Sequence, residues 1–162
     1  MIRKPNMFQK LLHRIVMIKP ISAFFAPRIH LLDKAVLKWT CGKQTAAGIL
    51  GWNIIQLTTT GAKTNQPHMM PLVGVLDEDK IALVASSFGR KHNPDWYYNL
   101  MAHPECDVRF HNHSRKYIAR EATGEEYQNY WHLANSLYAG YEKYKQRAAH
   151  RHIPVMLLEP LH

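Results

Sequence analysis

Groups that can bind a phosphate cluster in the segment LTTTGAKTNQPHMMPL, which runs from Leu57 to Leu72. Three consecutive threonines provide hydroxyl groups, Gly61 allows the backbone to turn without steric cost, and Lys63 places a cation beside main-chain N–H groups. The glycine spacing fits neither the mononucleotide-binding loop nor the dinucleotide fingerprint. The segment is therefore either a phosphate-binding turn or an ordinary polar hairpin.

A second segment with chemical potential is ASSFGRKHNPDWYYNL, residues 85–100. Its small residues leave room for a flat ligand at the end of a strand, and the basic turn at 90–92 can meet acidic groups. Trp96 and Tyr97 supply ring faces on the helix that follows, and Asn99 supplies an amide for orientation. The alternative for the two aromatic residues is packing of this helix on the rest of the domain.

Tyrosines recur every three residues in YAGYEKYK, at Tyr138, Tyr141 and Tyr144. On a single helix this spacing places the three phenols along one face. Such a face can cover an apolar site with polar tips, although buried aromatic residues are also the ordinary material of a core. Both interpretations stay open at this level.

Other reaction classes find less support in the sequence. His103, Cys106, His111 and His113 lie near one another in the chain, but His111 and His113 fall in a predicted hairpin turn with no carboxylate or second cysteine at ligand spacing, so we predict no metal site. The G-x-S-x-G motif of a serine hydrolase is absent from the sequence. The acidic run at 77–79 has the composition of a solvated turn and not of a paired acid and base.

Short segments rich in branched or alternating residues supply the framework from residue 53 onward. We predict five strands, with the sequences NIIQLTTT, HMMPLVGVLDE, KIALVASSF, CDVRFH and RKYIAREA. The links between them are too short for parallel crossovers, and closing antiparallel strands into a small barrel removes exposed edges. The predicted fold class is therefore mainly β with helices (α+β), built as a compact β-barrel.

Two helices interrupt the strand pattern. One is bracketed by the Asn-Pro and His-Pro pairs of residues 93–104, with Pro94 near its first position. The other, TGEEYQNYWHLANSLY, opens with Thr123 and Glu126 at the spacing of a capping box.

The net charge of +9 is concentrated in residues 1–43, which hold nine Lys or Arg against Asp33. Two basic amphipathic stretches flank Pro20 and Pro27 and predict two short helices. These helices either cover the core of the domain or attach peripherally to an anionic membrane surface. Their apolar runs are too short for a signal peptide or a membrane span. The amphipathic pattern and the lack of a recognisable module argue against nucleic-acid binding.

The expected organisation is one globular domain overall. Residues 1–45 form its basic amphipathic helical segment and residues 46–162 form the barrel. Cys41 and Cys106 fit neither a disulfide framework nor a zinc quartet, so we expect reduced thiols and a cytoplasmic protein. The inner face of the membrane is the alternative location, through residues 1–43.

Five segments, taken in order, resemble the deazaflavin-dependent nitroreductase family, a branch of the split β-barrel flavin and deazaflavin oxidoreductases. They are LTTTGAKTNQPHMMPL, VASSFGRKHNPDWYYNL, AREATGEEYQNYW, YAGYEKY and IPVMLLEP, and the resemblance extends from about residue 54 to 160. It implies a split β-barrel, similar to FMN-binding proteins, that binds reduced coenzyme F-420. It further implies hydride transfer to a quinone, nitro compound or similar small electrophilic acceptor, with the protein binding and orienting the cofactor.

The resemblance assigns roles to individual positions. Lys63 and Thr64 fall where the family holds the phosphate and acidic tail of the coenzyme, and Ser86 and Tyr141 fall beside the reacting centre as the catalytic residues. The cofactor-binding set is Lys63, Thr64, His68, Pro71, Leu72, Val84, Ala85, Ser86, Ser87, Trp96, Tyr97 and Asn99. The substrate pocket is Phe88, Tyr138, Tyr141 and Tyr144.

Three positions depart from the family pattern. Many members have arginine where this chain has Ala62 and His68, and glycine where it has Phe88. Because the guanidinium fork is the stronger partner for phosphate and carboxylate, these losses leave FMN, FAD or haem as alternative cofactors. A non-catalytic barrel that stores a flavin, haem or lipid is the alternative function. Arg90, Lys91 or His68 can compensate for the missing arginines, and exposed strand edges allow a homodimer.

Overall fold

Six antiparallel strands close into a barrel in the part of the chain that the computed structural model describes, residues 52–111 and 113–161. The strands are β1 (Asn53–Thr60), β2 (Pro67–Asp77), β3 (Lys80–Val84), β4 (Glu105–Phe110), β5 (His113–Glu121) and β6 (Val155–Pro160). They neighbour one another in the order β1, β2, β3, β6, β5, β4, and β4 pairs again with β1. The helices are α1 (Asp95–Ala102), α2 (Gly124–Leu137) and α3 (Gly140–Arg147), and Ser87–Gly89 form a short turn.

This architecture confirms the predicted fold class, a mainly β split barrel with added helices. The five predicted strands are present, with shifted ends. β3 ends at Val84 and not at Phe88, because Ser87 and Phe88 adopt left-handed backbone conformations that a strand excludes. The predicted N-terminal helices and the boundary at residue 45 lie outside the described residues.

β6 is the strand that the alternation of residue types did not predict. Val155 and Leu157 face the helices, Met156 and Leu158 face the barrel interior, and all four side chains are fully buried. A strand buried on both faces is a continuous apolar run without the alternation of a half-exposed strand. Its pairing with β3 on one side and β5 on the other closes the barrel.

Two apolar clusters stabilise the described part of the chain. The barrel interior contains Ile55, Leu57, Ile81, Leu83, Ala85, Trp96, Leu100, Cys106, Val108, Tyr117, Ala119, Met156 and Leu158. The second cluster lies between the outer face of the barrel and α2 and α3, and it includes Val75, Ala82, Val84, Tyr130, Trp131, Ala134, Leu137, Tyr138, Tyr141, Tyr144, Val155 and Leu157. Helix α2 therefore buries its apolar face on the outside of β2, β3 and β6, and α3 packs on α2 and on the turn at Ser87–Gly89.

The start of α2 differs from the predicted capping box. Thr123 occupies the N-cap position, but its side chain forms no capping hydrogen bond. Glu126 instead accepts two hydrogen bonds from the Arg120 guanidinium, at 2.6 and 2.8 Å. The capping-box prediction is therefore wrong, because an arginine on β5 holds the glutamate in a charge-assisted pair.

Glu159 is the centre of an ion-pair network on β6. Its Oε1 accepts hydrogen bonds from Lys80 Nζ at 2.9 Å and from the Arg120 guanidinium at 3.0 Å. The hydrogen bonds from Arg120 and then Lys80 lower the pKa of Glu159 from 4.5 to about 2. Because the folded-state pKa is the lower one, the carboxylate stabilises the fold above about pH 4.5. That contribution is lost as the pH falls towards 2.

We predict that Glu159→Gln makes the fold less sensitive to acid. The variant has a lower free energy of unfolding than the wild type at neutral pH, by at most about 1 kcal/mol because the charged partners are partly exposed. The difference shrinks as the pH falls from 4.5 to about 2. Urea unfolding at several pH values, followed by tryptophan fluorescence, measures this difference. Glu105→Gln, at an exposed position of β4, is the control. A difference that does not change over this pH range would contradict the role of Glu159.

Candidate active site

The barrel topology brings the two predicted ligand-binding segments to the same end. Thr59 on β1 pairs with His68 on β2, and Val84 on β3 pairs with Val155 on β6. Antiparallel pairing therefore places the end of β1, the start of β2, the end of β3 and the start of β6 together. Helix α1 connects β3 to β4 at this end. The site end of the barrel is formed by residues 59–68, 84–99 and 151–155.

The first segment forms a tight turn between β1 and β2. The Gly61 N–H donates a hydrogen bond to the Gln66 carbonyl at 2.8 Å. A Cβ at Gly61 would lie 2.3 Å from Thr64 Oγ1 and 2.7 Å from His68 Nε2, so the turn closes in this form only around a glycine. Lys63 and Thr64 are exposed on the turn.

Several donors on this turn are available to a ligand. Within the described part of the chain, the N–H groups of Lys63 and Thr64 have no hydrogen-bond acceptor, and the Lys63 ammonium enters no ion pair. The Thr64 hydroxyl lies 3.1 Å from His68 Nε2. Neighbouring main-chain N–H groups beside a cation can bind an anion. The turn therefore has the donors that the phosphate-binding interpretation requires.

Asn99 on α1 supports this turn from behind. Its Nδ2 donates a hydrogen bond to Thr59 Oγ1 at 3.0 Å, and its Oδ1 accepts one from the Ala62 N–H at 3.0 Å. Asn99 and Thr59 are both buried. The amide therefore ties α1 to the end of β1 and to the turn, and its polar atoms are engaged with protein groups.

The second segment ends in a turn with an unusual backbone. Ser87, Phe88 and Gly89 have φ values of 47°, 57° and 77°. A left-handed conformation costs about 1–3 kcal/mol for a residue other than glycine, and it persists only where the surroundings enforce it. Two hydrogen bonds help to enforce it here, from the Gly89 N–H to the Ser86 carbonyl at 2.8 Å and from the Arg90 N–H to the Ser87 carbonyl at 3.0 Å.

Arg151 holds the carbonyl groups of this strand end, and the sequence analysis did not single it out. Its Nη2 donates hydrogen bonds to the Ser86 carbonyl at 2.8 Å and to the Ala85 carbonyl at 3.4 Å. Its Nε donates to the Arg90 carbonyl at 3.0 Å, and its Nη1 donates to the Asn93 side chain. Because these acceptors are mostly main-chain oxygens, no motif of side chains marks them. The one available signal was an arginine just before an apolar run.

The three tyrosines of the predicted stripe meet in one cluster, although they do not share one helix. Tyr138 follows the end of α2, whereas Tyr141 and Tyr144 lie on α3. The hydroxyl oxygens of Tyr138 and Tyr144 are 3.0 Å apart, and the ring centroids of Tyr138 and Tyr141 are 5.4 Å apart. All three side chains are buried. Burial raises the pKa of Tyr138 and of Tyr141, so both phenols stay protonated at neutral pH.

Phe88 connects the strained turn with this tyrosine cluster. Its side chain is 56% exposed, and its ring meets the Tyr144 ring edge to face with centroids 5.8 Å apart. The Ser86 hydroxyl, at the start of the same turn, has no hydrogen-bond partner among the described residues. The turn therefore offers an exposed ring and an unused hydroxyl group.

Four other residues predicted to bind the cofactor are packed into the two clusters. Leu72, Ala85 and Trp96 pack in the barrel interior, and Val84 packs between the barrel and the helices. Pro71, next to Leu72, is exposed, because successive residues of a strand face opposite sides. The structure thus gives these side chains a supporting place around the site.

A carboxylate fixes Tyr97 on α1. The Tyr97 hydroxyl donates a hydrogen bond to Glu121 Oε2 at 3.0 Å. Burial, followed by this hydrogen bond, raises the pKa of Tyr97 to about 12. Glu121 Oε1 also lies 3.5 Å from His152 Nε2. These contacts orient α1 against the end of β5.

Residues 52–111 and 113–161 contain neither a candidate metal site nor a membrane-spanning helix. No three His, Cys, Asp or Glu side chains in these ranges lie close enough together to hold a metal ion. No helix in the same ranges is long and apolar enough to cross a bilayer. Cys106 is buried on β4, where burial raises its pKa to about 12, so its thiol is unreactive.

The closed antiparallel barrel with its added helices has the architecture of the split β-barrel class. The sequence model of the family described as F420H(2)-dependent quinone reductase matches residues 33–160. The chain belongs to this family. Membership confirms the prediction of an oxidoreductase with a deazaflavin cofactor.

Individual relatives agree with this membership. An F420H(2)-dependent quinone reductase of Mycobacterium tuberculosis is 34% identical over 105 residues, which are 63% of this chain and 70% of that protein. A solved F420-H2 dependent reductase, FDR-A, is 37% identical with a TM-score of 0.61 over 66% of this chain and 94% of its own. A solved domain-swapped dimer is 31% identical with a TM-score of 0.63 over 86% of this chain and 99% of its own. These likenesses confirm the resemblance that the motifs carried.

We predict that Asn99→Ala lowers the free energy of unfolding by about 2 kcal/mol. The substitution leaves the Thr59 hydroxyl and the Ala62 N–H without partners in a buried or half-buried place, which is costly. Urea unfolding measures the change. Asn129→Ala, at an exposed position of α2, is the matched control and should change stability by less than about 0.5 kcal/mol. Equal stability of the two variants would contradict the supporting role of Asn99.

Proposed function

We propose that this protein transfers a hydride from reduced coenzyme F-420 to a quinone or a similar electrophilic acceptor, nitro compounds included. Family membership supports the cofactor and the quinone. The observation that carries the proposal is that the turn at Lys63 and the turn at Ser86–Phe88 lie at the same end of the barrel. A deazaflavin coenzyme has an anionic tail and a flat ring, and the two turns suit one part each.

The turn between β1 and β2 fits the phosphate of the coenzyme. The unpaired N–H groups of Lys63 and Thr64 and the Lys63 ammonium can all donate to phosphate oxygens. Gly61 keeps the turn compact, because a side chain there would collide with Thr64. Arg90 and Lys91 are exposed at the same end and can meet the acidic tail. They offset part of the charge that the family pattern places at residue 62.

The strand end at 84–88 fits the ring of the coenzyme. When bound, the reduced deazaflavin supplies the hydride, and the residues around it fix its orientation. Ser87 is small and only half-buried, so it leaves room for a flat group, and the Ser86 hydroxyl can form a hydrogen bond with a polar atom of the ring. Tyr141, which stays protonated because burial raises its pKa, can donate a hydrogen bond without losing its proton.

Phe88 and the tyrosine cluster fit a flat acceptor. The exposed ring of Phe88 offers an apolar face, and Tyr144 supports that ring from the side. Quinones and nitroaromatic compounds are flat and stack on such faces. Phe88 is therefore the residue that we assign to acceptor contact, with Tyr138 and Tyr144 behind it.

The first experiment is a titration of the full chain with coenzyme F-420, FMN, FAD and haem, followed by fluorescence or absorbance. We expect the deazaflavin to bind in preference to the others, and we expect menadione to oxidise the reduced coenzyme in steady state. Binding without oxidation would indicate a carrier, and preference for FMN, FAD or haem would contradict the cofactor. Replacing menadione with a nitroaromatic compound tests the wider acceptor range.

We predict that Lys63→Ala weakens the affinity for coenzyme F-420 by about tenfold, the loss of one charge-assisted contact. The free energy of unfolding should change by less than about 0.5 kcal/mol, because the side chain is exposed. Fluorescence titration and urea unfolding measure the two quantities. Lys116→Ala, at an exposed position of β5, controls for the loss of a positive charge. Unchanged affinity in Lys63→Ala would remove Lys63 from the proposed site.

We predict that Ala62→Arg strengthens coenzyme binding several-fold, because arginine is a bidentate partner for phosphate and carboxylate. Residue 62 is exposed on the turn between β1 and β2, and its main-chain N–H donates a hydrogen bond to Asn99. A longer side chain at this position can therefore extend into solvent without disturbing that bond. The same titration measures the gain, and the gain should decrease at high salt. Ala149→Arg, exposed after α3, is the matched control. Equal effects of the two arginines would indicate attraction by net charge alone.

A membrane contact and a dimer complete the proposal. Residues 1–43 carry the basic amphipathic pattern that suits the inner face of a membrane, where quinones partition. Co-sedimentation with anionic and with neutral vesicles tests this contact, and equal recovery with both would contradict it. One solved relative is described as a domain-swapped dimer, and analytical ultracentrifugation would show whether this protein also forms a homodimer.

A further inference from the structure

We propose that Arg151 is a positioning residue, whose guanidinium fixes the strained turn at 86–90 and thereby sets the places of Ser86 and Phe88 at the site end. The inference rests on the proposed function for the identity of the site. It concerns a residue that the motifs did not mark and that lies outside both predicted ligand-binding segments.

The hydrogen bonds of Arg151 span both sides of the turn. On one side its Nη2 donates to the carbonyl oxygens of Ala85 and Ser86, at 3.4 and 2.8 Å. On the other side its Nε donates to the Arg90 carbonyl at 3.0 Å, and its Nη1 reaches the Asn93 side chain. One planar group thus joins the chain before the left-handed residues to the chain after them.

The turn needs such a restraint. Ser87 and Phe88 hold positive φ values without being glycine, and only two main-chain hydrogen bonds lie within the turn itself. Helix α3 supplies packing on the other side, since a Cβ at Gly89 would lie 2.6 Å from Arg147 Cβ. Without the bonds from Arg151, the strained residues can relax towards ordinary conformations. The exposed ring of Phe88 would then leave the edge of Tyr144.

The chemistry of the side chain explains why arginine stands here. A guanidinium has five donors in a fixed planar fork, whereas a lysine ammonium is a single point with three donors. No ion pair among the described residues involves Arg151, and its hydrogen bonds are made to uncharged acceptors. Burial lowers its pKa, which shows that the charge is partly desolvated. Hydrogen bonds to main-chain carbonyl groups offset this desolvation, in place of an ion pair with a carboxylate.

Arg120 is the matched control within the same chain. It also forms several hydrogen bonds at a strand, but they go to the Glu126 and Glu159 carboxylates and not to the main chain of the turn. Loss of Arg120 should lower stability and leave the turn at 86–90 in place. Comparison of the two arginines therefore separates positioning from a general loss of stability.

The first test uses the free protein and no cofactor. Hydrogen–deuterium exchange, followed by mass spectrometry, is measured on residues 86–93 in the wild type, Arg151→Lys, Arg151→Ala and Arg120→Ala. We expect exchange of the Gly89 and Arg90 amides to rise by about tenfold or more in Arg151→Ala and less in Arg151→Lys, with the strand amides of β1 unchanged. Exchange at wild-type rates in Arg151→Ala would overturn the proposal.

The second test uses the loaded enzyme. In Arg151→Ala we expect a higher KM for menadione and a lower kcat. The part of the coenzyme affinity that comes from the turn at Lys63 should be retained. Added guanidinium ion should restore part of the lost activity. Wild-type kinetics in Arg151→Ala would contradict the positioning role. If the wild type itself binds and oxidises no coenzyme, the proposed function fails, and the exchange data still decide whether Arg151 fixes the turn. Arg151→Lys retains the positive charge, and it replaces Arg151→Ala in both tests if Arg151→Ala does not fold.

Discussion

The double burial of β6 is the constraint on which the rest of the structure depends. Its hydrogen bonds to β3 and to β5 close the barrel. Val155 and Leu157 pack in the cluster under the helices, and Met156 and Leu158 pack in the barrel interior. Each such side chain contributes about 1.5–3 kcal/mol through burial. Because β6 begins at the site end, its position also places Arg151 beside the end of β3.

Polar side chains near the two turns act mainly on the backbone. Asn99 holds the turn at 61–66 through hydrogen bonds with Thr59 and Ala62. Arg151 holds the turn at 86–90 through hydrogen bonds to the carbonyl groups of Ala85 and Ser86. A buried polar group is costly unless it is hydrogen-bonded, so each of these residues tolerates few alternative arrangements of its neighbours. Because these buried side chains must keep their hydrogen bonds, the exposed residues of the two turns keep one backbone geometry.

The phosphate turn has little charge for a polyanionic ligand. Ala62 and His68 replace arginines that many family members carry, and Lys63 is the cation on the turn itself. Main-chain N–H groups supply the remaining donors. How strongly such groups attract an anion depends on whether they point at it more than on net charge. Gly61 and Asn99 maintain the shape of this turn, so the directions of its N–H groups depend on both residues.

Periodicity and turn residues in the sequence predicted the barrel, five of its strands and the approximate extents of α1 and α2, because those features follow from local spacing. The two segments around Lys63 and Ser86 were recognisable for the same reason, and the roles given to their residues remain predictions. The capping box and the single-helix stripe of tyrosines were wrong, since Arg120 competes for Glu126 and the helix ends at Leu137.

The sequence by itself determined the fold class and the family, because alternation, glycine positions and motif order are properties of neighbouring residues. Only the tertiary structure decided that the turns at 61–66 and 86–90 lie at the same end of the barrel, since that follows from strand pairing across the whole domain. It also decided that Arg151 lies against the turn at 86–90. Hydrogen bonds from a side chain to main-chain carbonyls more than sixty residues away leave no pattern along the sequence.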